Sequence, residues 1–231
     1  NTFYIDNTVY SFRVKLFLGT TDGIFIDELI ITYNGYTKPF KNVDNSLGFS
    51  LSKLILNGPS EDLKLTENTQ PAIMTIGVSI FHVLNKEFGF NLNSAKFFAG
   101  HSLGEYTALV CSDALTIENA AYLLQARGKF MQEAVPSGEG SMLAVLGMRL
   151  DEVEKEISML SKENICEIAN DNSNSQVVVS GKRKNIELFS ASLKKKKKKA
   201  IILPVSAPFH SSLMKTAAEK MKDKINNRPL L

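Results

Sequence analysis

Ser102 stands at the centre of Gly100-His101-Ser102-Leu103-Gly104, a Gly-X-Ser-X-Gly pattern preceded by the apolar Phe97-Phe98-Ala99 and followed by a helix-forming run. A serine on a sharp strand-to-helix turn has its hydroxyl thrust outward, and glycines two residues to either side remove side chains that would collide where strand and helix cross. The context therefore predicts nucleophilic catalysis on an acyl carbonyl. The backbone N–H of Leu103, at the start of the following helix, is placed to stabilise the oxyanion. Such a serine needs a base, and the chain has 3 histidines. His82 lies in a strongly apolar helix, and the side chain of His101 should project differently from that of Ser102 in a tight turn. That leaves His210, in the Pro-containing loop Ser206-Ala207-Pro208-Phe209-His210-Ser211 after a predicted strand, where catalytic groups of α/β proteins tend to lie. A neutral imidazole there would contribute about 10²–10⁴-fold as general acid and base. A purely structural role for His210 stays open.

A second group stands out for its misplacement. At 100° per residue, Ala120, Leu123, Leu124, Phe130, Met131 and Ala134 share one apolar stripe of a predicted helix, and Arg127 falls in the middle of it. A buried guanidinium must find an anion or stay badly desolvated. The anion is either a carboxylate of the chain itself or a carboxylate on the substrate. In the second case the arginine selects a carboxylated acyl group and rejects a neutral one, whose binding would leave it unpaired.

The elements that must position these groups are less evenly legible. Residues 13–19 suggest a first strand, and Asn34-Gly35 within 30–36 is the signature of a β-hairpin. A short helix is predicted over 51–56 and a loop over 58–60. Thr69-Gln70 then leads into Pro71 at a first helical position, opening a helix over 71–87. In that helix Ile73, Ile76, Val78, Ile80, Phe81, Val83 and Leu84 cover most of the circumference, so it is expected to be buried on several sides. A strand over 95–99 enters the Ser102 turn and a helix follows to about Cys111. Thr116 caps the next helix, which contains 119–135. Beyond it come a strand over 141–146, a helix over 151–160, strands over 165–169 and 176–180 joined by a polar turn over 170–175, a helix over 185–193 and a strand over 200–205. That β-α-β-β-α-β order is the ferredoxin-like split unit. A helix over 213–225 closes the chain. The predicted fold class is thus α/β, with 1–135 and 206–231 as a large subdomain and 136–205 as a small inserted one.

Composition narrows the function classes. With 44% hydrophobic and 22% charged residues the chain reads as globular, and no apolar run approaches a membrane span. The net charge is +3, of which Lys194 to Lys199 supply six, so the remainder is 3 − 6 = −3. A mildly acidic body excludes nucleic-acid binding as the default role, and the lysine run reads as a solvated or disordered surface segment, with attraction of an acidic protein partner as the alternative. Cys111 and Cys166 form neither a disulfide framework nor a metal ligand set, and they fit a reducing compartment. The N-terminal residues carry no secretory signal pattern.

Five stretches together resemble the malonyl-CoA:acyl carrier protein transacylases of dissociated (type II) fatty-acid synthesis: TENTQPAI (66–73), AGHSLGEYTALV (99–110), QARGKFMQEAVPSGEGSMLAVLG (125–147), QVVVSG (176–181) and LPVSAPFHSSLM (203–214). They follow the family's order and spacing across about 47–225. The resemblance implies a hydrolase-like large subdomain with a parallel sheet and nucleophile elbow, a ferredoxin-like small one, and a substrate cleft between them. It implies Ser102 as the acyl-accepting nucleophile, His210 as its base, Leu103 as an oxyanion donor, Arg127 as the partner of the malonyl carboxylate, and Phe209 and Met131 as substrate-binding residues. An aromatic residue before the histidine goes with malonyl rather than methylmalonyl units. The implied reaction is ping-pong, with malonyl-CoA as donor substrate and the phosphopantetheine thiol of acyl carrier protein as acceptor. No bound cofactor or metal is implied. The resemblance also implies a monomer, cytoplasmic if bacterial and in the plastid or mitochondrial matrix if eukaryotic.

Two departures are visible. The family's Gly-Gln-Gly-Ser-Gln loop, whose glutamine completes the oxyanion hole, has no counterpart near Gly19-Thr20-Thr21-Asp22-Gly23, and one lost oxyanion donor can cost about 10²–10³ in rate. A C-terminal segment that in the family orients the histidine has no counterpart before Leu231. Two rival readings follow: a serine esterase or thioesterase using the same elbow, and a catalytically impaired homologue that binds carrier protein without turnover.

Overall fold

The structure, a computed structural model, describes residues 5–6, 9–14, 29–34, 38–87, 89, 91–136, 138–160, 166–205 and 207–228. Its mixed α/β chain divides into two compact units, one from the described residues up to Gln125 and the other Ala126–Arg228.

The first unit opens on three antiparallel strands, β1 (Ile5–Asp6), β2 (Val9–Val14) and β3 (Leu29–Asn34), in the order β1-β2-β3, with Val9 opposite Asn34 and Val14 opposite Leu29. The strand expected over 13–19 is met only at its first two residues, which end β2; 15–19 lie outside the described residues. The hairpin expected at Asn34-Gly35 has its turn in 35–37, outside the described residues; β3 pairs with the preceding β2, and helix α1 (Lys38–Leu47) begins at Lys38. Pro39, in the first turn of α1, has no N–H to give a ladder and carries a φ suited to a helix start.

Three further helices follow: α2 (Leu51–Asn57), α3 (Ser60–Lys64) and α4 (Thr66–Glu87). Asp44 ties α1 to α2, accepting hydrogen bonds from the backbone N–H of Ser52 at 2.9 Å and from the hydroxyls of Ser50 and Ser52. It thereby caps α2 from outside that helix. Asp44→Ala should cost about 1 kcal/mol, and a thermal melt should show it as a drop of a few degrees in Tm. Helix α3 replaces the end of the expected 58–60 loop. Helix α4 starts five residues before Pro71, so the proline lies inside it and not at its first position. Thr69 helps hold the entry, its hydroxyl donating to the carbonyl of Leu65. Buried Thr75 and Ser79 likewise return their hydroxyls to the carbonyls of Pro71 and Thr75, at 2.7 Å each. Met74, Val78 and Val83 of α4 are fully buried with Phe40, Val43, Leu51 and Ile55, whereas Ile73, expected inside, is 51% exposed. After α4 comes α5 (Gly104–Cys111).

Helix α6 (Ile117–Glu133) is capped as expected, with the N–H of Asn119 donating to Thr116 Oγ1 at 3.2 Å. The second unit then builds β4 (Gly140–Leu146), α7 (Leu150–Ser158), β5 (Glu167–Ser173), β6 (Gln176–Lys182), α8 (Arg183–Lys195) and β7 (Lys199–Ile202), with α9 (Lys215–Asn226) after them. The sheet order is β5-β6-β4-β7 and every pairing is antiparallel. Side-chain alternation on β4 decides which layer covers which face. Leu143 and Val145 point to Val153 of α7 and to Ile186, Phe189 and Leu193 of α8. Met142 and Ala144 point to the opposite face, where Leu203, Val205 and Phe209 pack. The polar stretch expected as a turn over 170–175 is mostly strand: β5 runs to Ser173, leaving Asn174 and Ser175 as the turn. β5 is an edge strand with its polar residues 171–173 exposed, so composition alone reads it as loop.

Both described sheets are antiparallel, so the parallel sheet expected of the large subdomain is not found among the described residues. No helix there is long and apolar enough to cross a membrane. The lysine run is exposed and in part ordered, ending α8, turning at Lys197 and entering β7. Lys196 pairs with Glu156 of α7.

Candidate active site

Four described non-glycine residues have positive φ: Ser102 (54°), Asp113 (59°), Lys197 (57°) and His210 (56°). Two of these have a local explanation. Asp113 follows α5 and Lys197 follows α8, each in the left-handed position that ends a helix, with the N–H groups of Asp113 and Ala114 returning to Val110 and Leu109, and those of Lys197 and Lys198 to Lys194 and Leu193. Ser102 and His210 end no helix. Each precedes one, and a side chain held in that region costs of order 1–3 kcal/mol unless its surroundings impose it. The two residues proposed from sequence as nucleophile and base are therefore the two backbone outliers that no helix end accounts for.

At Ser102 the imposing feature is Gly100. A Cβ there would overlap the carbonyl of Gly104, so the chain can fold back at this point only with glycine. The expectation for Gly104 is corrected: a Cβ on it meets nothing within 4 Å, and it is its carbonyl that needs the room. The turn closes with the N–H of Gly104 on His101 O at 2.9 Å and that of Glu105 on Ser102 O at 3.2 Å. Leu103 is helical (φ −62°, ψ −23°) immediately before α5, which puts its N–H among those that a helix start leaves without an intrahelical acceptor. The strand expected over 95–99 is not formed. Ala95 is extended (φ −60°, ψ 133°), but the segment has no ladder partner among the described residues. Phe97 is 89% exposed, while Phe98 meets Phe81 edge-on at 6.0 Å. A cavity of about 330 Å³ beside the turn is walled by Phe98, Ala99, Gly100 and one face of α5, and Ser102 is not among its walls.

His210 is exposed on a short loop fixed from both sides. Before it, Pro208 fills the space where a Cβ of Gly140 would sit, so the first residue of β4 must be glycine. After it, Ser211 Oγ donates to Pro208 O at 2.7 Å, and the N–H of Ser212 donates to Glu167 Oε2 of β5 at 2.8 Å. Sequence reasoning missed both anchors. A lone glycine opening a strand was the available signal for the first; 45 residues separate Glu167 from Ser212, and no local signal exists for the second. Gly140→Ala should push Pro208 aside, costing about 1–3 kcal/mol in a melt and on the order of 10²-fold in any rate that depends on His210.

Arg127 is half-buried on α6, flanked at i−4, i−3 and i+4 by Leu123, Leu124 and Met131, which are 2%, 0% and 7% exposed. Met131 and Phe209 meet in one apolar cluster with Val135, Ala207 and Met214. In the same unit Lys220 lies 5.2 Å above the Phe130 ring and pairs with Glu133 at 3.0 Å. The other titratable candidates are weak. Burial holds the His82 imidazole below its ordinary range, and it pushes the thiols of Cys111 and Cys166 up to about 11, so neither is a thiolate at neutral pH. Among the described residues no cluster of His, Cys, Asp and Glu could hold a metal ion.

A strained serine at a helix start, in a mixed α/β chain, defines the class: the acyl transferase domain family matches residues 40–229, and the chain belongs to that family. Its relatives are more specific. It is 45% identical over 186 residues to the malonyl CoA-acyl carrier protein transacylase of Bacillus subtilis (80% of this chain, 57% of the relative). To that of Escherichia coli K12 it is 38% identical over 202 residues (87% and 64%). Among solved structures it is similar to an acyl-carrier-protein S-malonyltransferase of Bartonella henselae, with TM-score 0.78, 41% identity and coverage of 84% and 62%. It is also similar to a malonyl transacylase solved in complex with a type II polyketide acyl carrier protein, with TM-score 0.78, 34% identity and coverage of 84% and 62%. The chain thus spans 57% and 64% of the two curated relatives' lengths.

Proposed function

We propose that this chain transfers a malonyl group from coenzyme A to the phosphopantetheine thiol of an acyl carrier protein, as an [acyl-carrier-protein] S-malonyltransferase of fatty-acid biosynthesis. The observation that carries the reading is the backbone strain at Ser102 and His210, in a chain whose curated relatives are malonyl transacylases. Ser102 Oγ attacks the thioester carbonyl while His210 takes its proton. The oxyanion is held by the N–H of Leu103, and coenzyme A departs as the thiol, carrying that proton. The pantetheine thiol then gives its proton to His210 and attacks the malonyl-serine ester, and Ser102 leaves with the proton. Arg127 pairs with the malonyl carboxylate, and Phe209 and Met131 wall the acyl group.

The finer architecture belongs to the same proposal. We read 136–205 as a ferredoxin-like small subdomain, supported by the β-α-β-β-α-β order and by the strand order β5-β6-β4-β7. We read 1–135 and 206–231 as a hydrolase-like large one. The test is incubation with malonyl-CoA, with and without holo-acyl carrier protein. Malonyl-carrier should accumulate and free malonate should not. Release of malonate to water at the same rate would make the protein a thioesterase, and no acyl-enzyme at all would leave a binding homologue.

A further inference from the structure

We propose that Glu167 is a positioning residue for His210, a reading that rests on the role of His210 as base. The carboxylate of Glu167 uses both of its oxygens on one residue: Oε2 accepts the backbone N–H of Ser212 at 2.8 Å and Oε1 accepts the Ser212 hydroxyl. Ser212 is two residues beyond His210 and opens the single 3-10 turn Ser212–Met214 that leads into α9. A carboxylate at that place satisfies an N–H group that a helical start leaves open, and it suits the positive end of the helical run.

What Glu167 is attached to makes the contact a positioning device. It is the first residue of β5, held opposite Ser180 of β6, so its backbone is tied to the four-stranded sheet. The other side of the His210 loop is tied to the same sheet through Pro208 against Gly140 of β4. His210 itself has a φ of 56°, an uncommon left-handed conformation that costs of order 1–3 kcal/mol unless its surroundings impose it. Two anchors on one rigid sheet, one before and one after, supply that constraint. Releasing the Glu167 anchor frees the loop to relax toward ordinary φ and swings the imidazole away from its working position.

The experiment measures single-turnover acylation by malonyl-CoA, with Tm, in wild type, Glu167→Ala, Glu167→Gln, Ser212→Ala, His210→Ala and the Glu167→Ala/His210→Ala double variant. Glu167→Ala should lower the acylation rate on the order of 10–10²-fold while KM for malonyl-CoA holds within about twofold. Glu167→Gln retains one acceptor oxygen and should recover part of the loss, and Ser212→Ala, which removes only the hydroxyl bond, should lose less than Glu167→Ala. Because Glu167 acts through the imidazole, its removal should have no further effect once His210 is alanine. Equal losses in both backgrounds, or an unchanged acylation rate in Glu167→Ala, would overturn the inference. His210→Ala reports separately on the base: if that variant acylates normally, the role of His210 fails and the role of Glu167 falls with it. If His210→Ala is impaired and Glu167→Ala is not, only the present inference fails.

Discussion

Ser102→Ala is expected to abolish the malonyl-enzyme and to lower transfer by on the order of 10⁶-fold, the scale seen when a nucleophile that works as part of a unit is removed. The substitution is clean because alanine meets the same backbone demand as serine. Both must accept a φ of 54°, imposed by the approach of Gly100 to the carbonyl of Gly104. Folding should therefore be unchanged, and the difference isolates the hydroxyl. The measurement is intact-protein mass after brief exposure to malonyl-CoA: wild type gains one malonyl group and the variant none. A labelled alanine variant would sink the assignment. The alternative nucleophiles are poor ones, since Cys111 and Cys166 carry thiols raised to about 11 by burial. Any labelling of them should rise with pH toward that value, which distinguishes it from serine chemistry.

The candidate site was more legible in the sequence than the fold around it, for a physical reason. The Ser102 turn is defined within five residues, where steric exclusion at Gly100 acts on its immediate neighbours. The Thr116 cap and the α6 stripe are equally local, being set by the 3.6-residue period and one side-chain oxygen. The small antiparallel sheet was legible because β4 and β6 are short apolar runs, buried almost throughout, that stand between helices of clear periodicity. Errors fell where a distant partner decides. Polar β5 is a strand because β6 offers it a ladder, and 95–99 is not a strand because no described segment does. Pro71 was placed at a helix start by its usual preference, whereas α4 begins upstream, where the N–H groups of Asn68 and Thr69 return to the carbonyl of Leu65. The Glu167 anchor of the His210 loop was invisible for the same reason, since a carboxylate 45 residues away leaves no mark on the sequence near the histidine.

Arg127→Ala should separate substrates rather than disable the protein. Its place on α6 follows from the same apolar period that buries Leu123, Leu124 and Met131, so the guanidinium is held at the margin of an apolar face and not in open solvent. A cation so placed interacts strongly with an anion and poorly with a neutral group, because the local dielectric is lower than that of water. If the anion is the malonyl carboxylate, removing the arginine leaves a desolvated carboxylate unpaired, a loss of about 3–5 kcal/mol or on the order of 10²–10⁴-fold in kcat/KM for malonyl-CoA. Acetyl-CoA has no such carboxylate. Its kcat/KM should fall little or rise, because a guanidinium no longer has to be desolvated around a neutral acyl group. Arg127→Lys should resemble the alanine variant more than wild type, since an ammonium cannot reproduce a planar two-point grip on a carboxylate. The ratio of malonyl to acetyl kcat/KM across the three proteins is the measurement. Parallel losses for both acyl groups, accompanied by a lower Tm, would mean that Arg127 pairs within the chain and that selection of the carboxylated acyl group lies elsewhere.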